Sequence, residues 1–445
     1  MDKKYIEENK ELFKFFVENS FFKNWRLSKR GDIKYHNYNS LTLDIDYSCD
    51  LKCEYCYLKR FGKELYHNKT IKKDNLIKNT EKIMNFIYKN NMYCLLEIFS
   101  GEPFRNKAFC DILDIIYDYQ SKMPVEKRSD YVSIPSNLSI FRTAFKKDAD
   151  KFIEYQKKFE EISINLVLSA SVDGPFMDDE NRPRANKEKY DRDFYNNVLD
   201  NGDKFGYGYH PMIYSNNIEY WIDNFLWFDN NIRTSLYLLE IRNQEWTEKQ
   251  AHQLYYFTRF LVNYIYNALS NKNTKEFRKI LEELKGYNII NSVFSTIGRG
   301  IGCSIQSSFE VILNDLTLIP CHRTSYDTLT TGKLSFNDGD WDIEIFNPEL
   351  YIAIQTAESK NMGPCEACPI NEICSGPCLG ANLESTGELF TTSPTVCKME
   401  YEKIAGIIRG FDDIGLLNLM TKNTAHIKKA QIYNVLREDL KRNRF

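Results

Sequence analysis

The feature that most limits what this chain can become is a cysteine triplet, Cys49, Cys53 and Cys56, spaced C-x3-C-x2-C. Three thiolates on one short loop can bind three irons of a [4Fe–4S] cluster and leave the fourth iron without a protein ligand. Four cysteines would close such a cluster and restrict it to electron transfer. The triplet therefore predicts a cluster with one open corner, where a small molecule can bind.

A zinc knuckle or an inert set of thiols is the alternative for this triplet. Zinc prefers four ligands, often from paired C-x2-C units. The nearest downstream histidine is His67, which lies well beyond the loop. A set of three cysteines therefore fits an open iron–sulfur site better than a closed zinc site.

The spacing, with Tyr55 just before the last cysteine and a strand-like stretch at 41–47, resembles the radical S-adenosylmethionine (AdoMet) superfamily. The resemblance implies that AdoMet binds the open iron through its amino and carboxylate groups, with Tyr55 beside the cofactor. It also implies that one electron cleaves AdoMet, and that the resulting 5′-deoxyadenosyl radical abstracts a hydrogen atom from a substrate.

The composition is that of an ordinary folded protein. Of the 445 residues, 42% are hydrophobic and 14% aromatic, enough for a large core divided into two or three domains. A net charge of −3 gives no footprint for nucleic acid. With no long apolar run and no secretory signal, we expect a cytoplasmic protein without a membrane span. In that compartment the twelve cysteines are more often metal ligands than disulfides.

Short apolar segments alternate with helical ones, which predicts an α/β fold with parallel strands joined by right-handed crossovers. The predicted strands are 41–47, 93–99, 131–135, 165–172, 209–214 and 235–241, and the predicted helices include 73–89, 107–119 and 145–159. Six such units resemble the partial (β/α)6 TIM-like barrel of the radical enzymes. The pattern alone fits an open doubly wound sheet equally well.

We expect five regions along the chain. They are an N-terminal helical extension (1–40), the partial barrel (41–245), a helical bridge (246–300), a loop-rich and cysteine-rich domain (301–400) and a C-terminal helix (401–445). The fourth region lacks long periodic patterns, so metal sites would have to stabilise it.

A second set of cysteines falls in the fourth region: Cys303, Cys321, Cys365, Cys368, Cys374, Cys378 and Cys397. The set resembles the SPASM domain, which binds two auxiliary [4Fe–4S] clusters. The resemblance assigns Cys303, Cys321 and Cys378 to the first cluster, and it assigns Cys365, Cys368, Cys374 and Cys397 to the second. Seven cysteines leave one iron of the first cluster open to a thiolate, water or another side chain. A zinc ribbon of Cys365, Cys368, Cys374 and Cys378 is the alternative.

Polar residues after the second, third and fourth predicted strands resemble those that hold AdoMet in the same family. In the S-G-E-P motif, Ser100, Gly101 and Glu102 would contact the methionine amino group, and Ser136 and Asn137 form a polar pair. Ser171 and Arg182 would bind the methionine carboxylate, for which a planar guanidinium is suited. Arg184 is the second choice, because the spacing from Ser171 to Arg182 is one residue short of the expected one.

Enzymes that combine these two parts mostly modify peptides. The resemblance therefore implies a radical maturase that forms a thioether or carbon–carbon crosslink in a ribosomally made, cysteine-containing precursor peptide. The expected cofactors are AdoMet and three [4Fe–4S] clusters, and the expected electron donor is a flavodoxin or ferredoxin.

An anaerobic sulfatase-maturing enzyme, which makes formylglycine, is one alternative. Such enzymes usually carry an aspartate where His322 follows Cys321. A non-catalytic iron–sulfur protein is another, and an RNA-modifying enzyme is a third that the acidic balance disfavours. The precursor, the bond formed and the catalytic base are not readable from the sequence.

Overall fold

The structure, a computed structural model, describes residues 40–58, 70–138, 140, 146–242, 244–270, 288–290, 293, 305, 309–337, 340–358, 362–374, 376–422 and 426–442. The predicted N-terminal extension, apart from Ser40, and the predicted ligand Cys303 lie outside the described residues. Within the described ranges, none of the helices has the length and apolar character needed to cross a membrane.

The described strands are β1 (Ser40–Asp44), β2 (Leu95–Phe99), β3 (Tyr131–Ser136), β4 (Asn165–Ala170), β5 (Gly208–Tyr209), β6 (Met212–Ile213), β7 (Leu239–Glu240), β8 (Phe309–Ile312), β9 (Thr317–Ile319), β10 (Gly332–Asn337) and β11 (Asp340–Ile345). Nine of them form one sheet in the order β11-β10-β9-β8-β1-β2-β3-β4-β5. From β8 to β5 the neighbours are parallel, whereas from β8 to β11 they are antiparallel. The parallel pair β6–β7 follows, and a bridge between Tyr209 and Leu236 connects the two parts.

The described helices are α1 (Lys73–Lys89), α2 (Phe109–Lys122), α3 (Lys146–Glu161), α4 (Asp178–Asn181), α5 (Arg192–Phe205), α6 (Trp221–Asn231), α7 (Glu248–Ser270), α8 (Pro348–Thr356), α9 (Leu379–Thr386), α10 (Pro394–Asp413), α11 (Leu417–Lys422) and α12 (His426–Lys441). Helix α1 shows why these segments are helical, since Leu76, Ile83 and Ile87 recur at helical spacing and are buried. Helix α5 ends at Gly206, whose φ of 65° is a left-handed conformation that glycine adopts at little cost.

The parallel strands have two different faces, because successive side chains of a strand point to opposite sides. One face packs against the helices and forms the main core, with Leu43 of β1, Ile98 of β2 and Leu168 of β4 among its members. We call the other side the inner face. It carries the residues that alternate with the core: Thr42, Asp44, Glu97, Phe99, Ser133, Val167, Ser169 and Glu310.

The predicted α/β fold with a parallel sheet is confirmed, and all six predicted strands are found, with 209–214 divided into β5 and β6. Strands β8 to β11 are not predicted from the sequence, because short strands among turn residues have no long alternating pattern. Strand β8 pairs with β1, so the region at 301–400 contributes a strand to the barrel sheet. Where the sequence predicts one C-terminal helix at 401–445, the structure has most of α10 followed by α11 and α12.

Candidate functional site

The cysteine triplet lies on the loop that follows β1, at the carboxyl ends of the parallel strands. The loop is hydrogen-bonded to the segment at 181–185: Lys52 N donates to Pro183 O at 2.8 Å, and Ala185 N donates to Asp50 O at 2.9 Å. Within the loop, Leu51 N donates to Cys49 Sγ at 3.4 Å. The segment that contains Arg182 therefore braces the backbone from which the three thiols project.

A turn after β2 brings Glu102 to the same loop. Ser100 and Gly101 adopt φ of 80° and 58°. A Cβ atom on Gly101 would lie 2.5 Å from the Ser48 carbonyl oxygen, so this close approach requires glycine. Glu102 N donates to the same oxygen at 2.9 Å. The S-G-E-P motif is thus packed directly against the cysteine loop.

Glu102 also connects the ends of neighbouring strands. Its carboxylate accepts hydrogen bonds from Ser136 Oγ at 2.8 Å and from Asn137 N at 2.7 Å. Asn137 Nδ2 donates to Asp50 Oδ1 at 2.8 Å, and Ser171 N donates to Ser136 O at 2.8 Å. Burial raises the pKa of Glu102 to about 7. The structure therefore brings four of the predicted site residues into one hydrogen-bonded group.

Arg182 and Tyr55 meet at Asp173. Arg182 Nη2 lies 2.8 Å from Asp173 Oδ1, and Tyr55 OH donates to Asp173 Oδ2 at 2.6 Å. The guanidinium lies 5.4 Å from the centre of the Tyr55 ring. Burial works against the charge of Arg182, but Asp173, Tyr55 and Cys53 together hold the pKa of the guanidinium well above its ordinary value. A permanent positive charge is therefore fixed beside the cysteine loop.

Arg184, the second choice for the carboxylate ligand, has other partners. Its guanidinium stacks 4.4 Å from the ring centre of Tyr190 and 5.1 Å from that of Phe194. It also lies 3.6 Å from Glu188. Arg184 Nε has no hydrogen-bond partner either, so what distinguishes Arg182 is the pairing of its guanidinium with Asp173, which also binds Tyr55 of the loop.

The surroundings of the triplet fit a ligand that has an amino group and a carboxylate. Ser100 Oγ and Arg182 Nε have no hydrogen-bond partner, although the two residues are only 3% and 7% exposed. Buried polar atoms are normally paired, so these two atoms are available to a ligand. The carboxylate of Glu102 in turn suits an ammonium group.

Four of the C-terminal cysteines surround one cavity of about 50 Å3: Cys365, Cys368, Cys374 and Cys397. They are the four that the SPASM resemblance assigns to the second auxiliary cluster. Cys378 is not among the described residues that line this cavity, and it lies instead at the start of α9. This grouping fits the cluster assignment better than the zinc ribbon, which would need Cys378 in place of Cys397.

A buried ion-pair network lies beside the cavity. Glu400 Oε1 accepts from Arg242 Nη2 at 2.6 Å, and Glu400 Oε2 lies 2.9 Å from Lys403 Nζ. Lys403 Nζ also lies 2.9 Å from Glu240 Oε1 at the end of β7. Arg242 reaches the Gly376 carbonyl oxygen at 3.5 Å, next to the cysteine segment. The network therefore connects the residues beside the cavity to β7 through Glu240.

Cys321 and Cys378, which the resemblance assigns to the first auxiliary cluster, both lie near Arg323. Burial opposes the charge of Arg323, but Cys378, Glu384 and Cys321 together raise the pKa of its guanidinium. The two described cysteines of this predicted cluster site thus both act on one buried cation.

The spacing of the cysteines argues against zinc. Zinc–sulfur bonds of about 2.3 Å place tetrahedral thiolates roughly 4 Å apart. In the part of the chain that the structure describes, one group of three potential ligand atoms lies within 4.8 Å of one another, and it consists of Glu310, Cys321 and His322. Neither the triplet nor the four cysteines around the cavity are that close, and a wider spacing suits a larger cluster.

Three acids lie together on the inner face but are not predicted as site residues from the sequence: Asp44, Glu97 and Glu310. Burial raises the pKa of Glu310 to about 8 and that of Asp44 well above its ordinary value. Next to them, burial lowers the pKa of His322 to about 4, so its imidazole is neutral. The available signal was a charged residue inside an apolar strand, as in T-L-D-I and L-L-E-I-F. Cys94 is buried, and Cys110 packs half-buried against the core.

Taken together, the parallel strands and the three-cysteine loop at their carboxyl ends form the arrangement that the resemblance to radical AdoMet enzymes predicts. No family model and no curated protein matches the chain. Solved structures do match it. A polyhistidine-tagged form of anSMEcpe with bound AdoMet, an anaerobic sulfatase-maturating enzyme, has a TM-score of 0.58 at 14% identity and covers 88% of this chain and 98% of its own.

Two further solved structures hold peptides. Native anSMEcpe with bound AdoMet and Cp18Cys peptide has a TM-score of 0.57 at 14% identity and covers 86% of this chain and 100% of its own. Streptococcus suis SuiB bound to precursor peptide SuiA has a TM-score of 0.48 at 17% identity, with 80% and 75% covered. The anSMEcpe matches confirm, at the level of the fold, the resemblance that the cysteine motifs predict.

Proposed function

We propose that this protein is a radical AdoMet enzyme that oxidatively modifies a peptide. The observation that carries the proposal is the convergence of Glu102 and Arg182 on the three-cysteine loop, where Ser100 Oγ and Arg182 Nε are buried without partners. An acidic group, a cationic group and an open cluster corner are the three features that an amino-acid cofactor requires there.

Each residue of the site has one role in this proposal. Cys49, Cys53 and Cys56 would hold the cluster, and Glu102 would accept the ammonium of AdoMet. Arg182 would bind the carboxylate, with Asp173 fixing the guanidinium. When bound, the cluster and AdoMet would supply one-electron cleavage and a hydrogen-abstracting radical. The hydrogen-bonded group of Ser136, Asn137 and Ser171 would hold Glu102 in place (Ser136 and Asn137 directly).

The C-terminal cysteines would hold two auxiliary clusters that accept the electron released by the substrate radical. Cys365, Cys368, Cys374 and Cys397 supply four ligands around one cavity, which fits a closed electron-transfer cluster. Cys321 and Cys378, with Cys303, would hold the other cluster and leave one iron open. A flavodoxin or ferredoxin would supply electrons, and the enzyme would act in the cytoplasm.

The substrate class rests on fold similarity and on the inner face. Structures of anSMEcpe contain AdoMet together with peptides named Cp18Cys and Kp18Cys. Val167 of the inner face is 37% exposed, so this face is open to solvent. The open iron of the first auxiliary cluster favours a cysteine-containing precursor and a thioether, with a carbon–carbon crosslink as the other product of the same class.

Formylglycine formation is the second candidate for the reaction, and the position of His322 supports it. The neutral imidazole lies on the inner face beside Phe99, at 5.0 Å between ring centres, where a base must meet the substrate.

One experiment separates these outcomes. The protein is reconstituted anaerobically with iron and sulfide, reduced with dithionite and incubated with AdoMet and a cysteine-containing peptide. We expect 5′-deoxyadenosine and a peptide that has lost two hydrogens for each crosslink. Exchange of the thiol sulfur for a carbonyl oxygen would instead indicate formylglycine. Absence of AdoMet cleavage by a protein with full iron content would refute the proposal and leave a non-catalytic iron–sulfur protein.

A further inference from the structure

Three carboxyl side chains lie together on the inner face. In the sheet register, Thr42 of β1 pairs with Glu97 of β2 on one side and with Glu310 of β8 on the other. Asp44 follows Thr42 by two residues and therefore projects from the same face. The acids come from three neighbouring strands, so the fold itself places them side by side.

Two of these acids are buried without adequate partners. Asp44 is 2% exposed, and neither of its carboxyl oxygens has a hydrogen-bond partner. Glu310 is 5% exposed, and its Oε1 is likewise unpaired, while Oε2 accepts from His322 N at 2.6 Å. Buried polar atoms are normally hydrogen-bonded. The cluster therefore contains three buried carboxyl oxygens that lack a donor.

The described residues that act on Asp44 include no lysine or arginine. Its ionisable neighbours are Glu310, His322 and Glu97. Glu97 accepts hydrogen bonds from Thr42 Oγ1 at 3.1 Å and from Ser133 Oγ at 3.5 Å, which are neutral donors. The inner face thus groups three carboxyl side chains and pairs none of them with a described lysine or arginine.

A metal ion is a poor occupant for this cluster. Metal ligands at bond lengths of about 2.0–2.6 Å must converge closely. Among the described residues no group within 4.8 Å contains Asp44 or Glu97, and Glu310 belongs to a separate group with Cys321 and His322. The neighbouring surface is aromatic instead. The His322 ring lies 5.0 Å from the Phe99 ring and 4.8 Å from the Tyr57 ring. Carboxylates beside aromatic rings favour an organic cation with an apolar stem.

We propose that Asp44, Glu97 and Glu310 bind the cationic side chain of a lysine or arginine in the peptide substrate. The inference rests on the proposed function, and it names the residue type that enters the barrel. Tyr57 directly follows Cys56 of the triplet. Its ring lies 4.8 Å from that of His322, whose backbone N donates to Glu310. A basic side chain held there places its own stem, or that of an adjacent residue, beside the proposed cluster.

A peptide-selection experiment tests this assignment. A library of short random peptides is incubated with the reconstituted full-length protein and AdoMet in the absence of reductant, and bound peptides are sequenced by mass spectrometry. We expect lysine or arginine to be enriched about tenfold or more at one position, as for a buried charge pair. The enrichment should disappear in Asp44→Asn and in Glu97→Gln. It should persist in Glu81→Gln, which changes an exposed carboxylate of α1.

Enrichment of acidic or apolar residues, no enrichment at all, or enrichment that Asp44→Asn leaves unchanged would overturn the assignment. Calcium or manganese binding that depends on Asp44, without peptide enrichment, would give the site to a metal ion. Asp44→Asn should keep or raise the melting temperature, because it replaces a buried acid beside two other acids with a neutral amide. Glu97→Gln repeats the test if Asp44→Asn does not fold. If the enzyme cleaves AdoMet but selects no lysine or arginine, the proposed function stands and the binding assignment fails. If Asp44-dependent enrichment is found but AdoMet is not cleaved, the proposed function fails and the binding assignment stands.

Discussion

The two cysteine regions of the molecule differ in how their polar neighbours are used. Beside the triplet, Ser100 Oγ and Arg182 Nε are buried and unpaired. Beside the four-cysteine cavity, Glu400 is paired with both Arg242 and Lys403. The two unpaired atoms beside the triplet can bind a ligand, whereas the carboxylate of Glu400 is already bound by two cations of the protein. This difference is consistent with the proposed function, in which the N-terminal site carries out the chemistry and the C-terminal one transfers electrons.

The largest effect should come from the triplet itself. Replacing Cys49, Cys53 and Cys56 by alanine should abolish AdoMet cleavage and remove about four irons per chain, because one cubane is lost. Iron analysis and 5′-deoxyadenosine assays measure both. The matched control is Cys110→Ala, a half-buried cysteine outside both sets. AdoMet cleavage that persists in the triple variant would show that the triplet is not the site of cleavage.

A cysteine of the other region should behave differently. Cys368→Ala should lower the iron content but leave uncoupled AdoMet cleavage in place, while formation of modified peptide falls to background. The reason is that cleavage needs the open corner, whereas turnover needs an electron acceptor. If Cys368→Ala abolishes AdoMet cleavage as completely as the triplet variant does, the C-terminal cysteines are required for cleavage itself and the proposed separation of roles is wrong.

Stability should report the same contrast. Glu400→Gln breaks a buried ion-pair network and should lower the free energy of unfolding by about 3–5 kcal/mol. Ser100→Ala removes a hydroxyl that has no partner, so the change should stay below about 1 kcal/mol. Thermal denaturation of the reconstituted proteins compares the two. Equal losses would show that Ser100 Oγ is satisfied after all.

The choice between the two arginines can be sharpened by conservative variants. Arg182→Lys keeps the charge but loses the planar fork, so the KM for AdoMet should rise about 10–100-fold. Arg184→Lys is the matched control, with an expected change below about threefold, since its guanidinium stacks on Tyr190. The reverse ranking would move the carboxylate site to Arg184.

The smallest effect is a pH dependence. Glu102 has a pKa of about 7 in the folded protein, above its ordinary value of 4.5. The folded state therefore binds more protons than the unfolded state between these values, so stability of the free protein falls as pH rises through that window. AdoMet, which prefers the carboxylate, should bind about tenfold more weakly per pH unit below pH 7. Calorimetry should give a flat profile for Glu102→Gln.

Much of this architecture follows from the sequence. Helix α1 has the predicted bounds, because its apolar residues repeat at helical spacing. The cysteine loops are equally local features, since ligand spacing is read directly along the chain. Glu102, Ser136 and Asn137 are predictable as a group because the ends of adjacent parallel strands lie together.

The remainder depends on tertiary contacts that no local pattern encodes. The segment at 181–185 braces the cysteine loop through backbone hydrogen bonds, which carry no side-chain signature. Leu316 adopts a φ of 64° in the turn between β8 and β9, although the side chain gives no reason to expect a left-handed turn there. It is 5% exposed, so burial of the leucine offsets the strain. Glu97 and Glu310 become neighbours only through the shared partner Thr42.

The pairing of β8 with β1 has a consequence for biosynthesis. Strand β1 (Ser40–Asp44) emerges from the ribosome well before β8 (Phe309–Ile312), one of its two flanking strands. At about 5–20 residues per second, β1 would wait on the order of tens of seconds with one edge exposed. During that time the cysteine loop would follow a strand that has a neighbour on one side only.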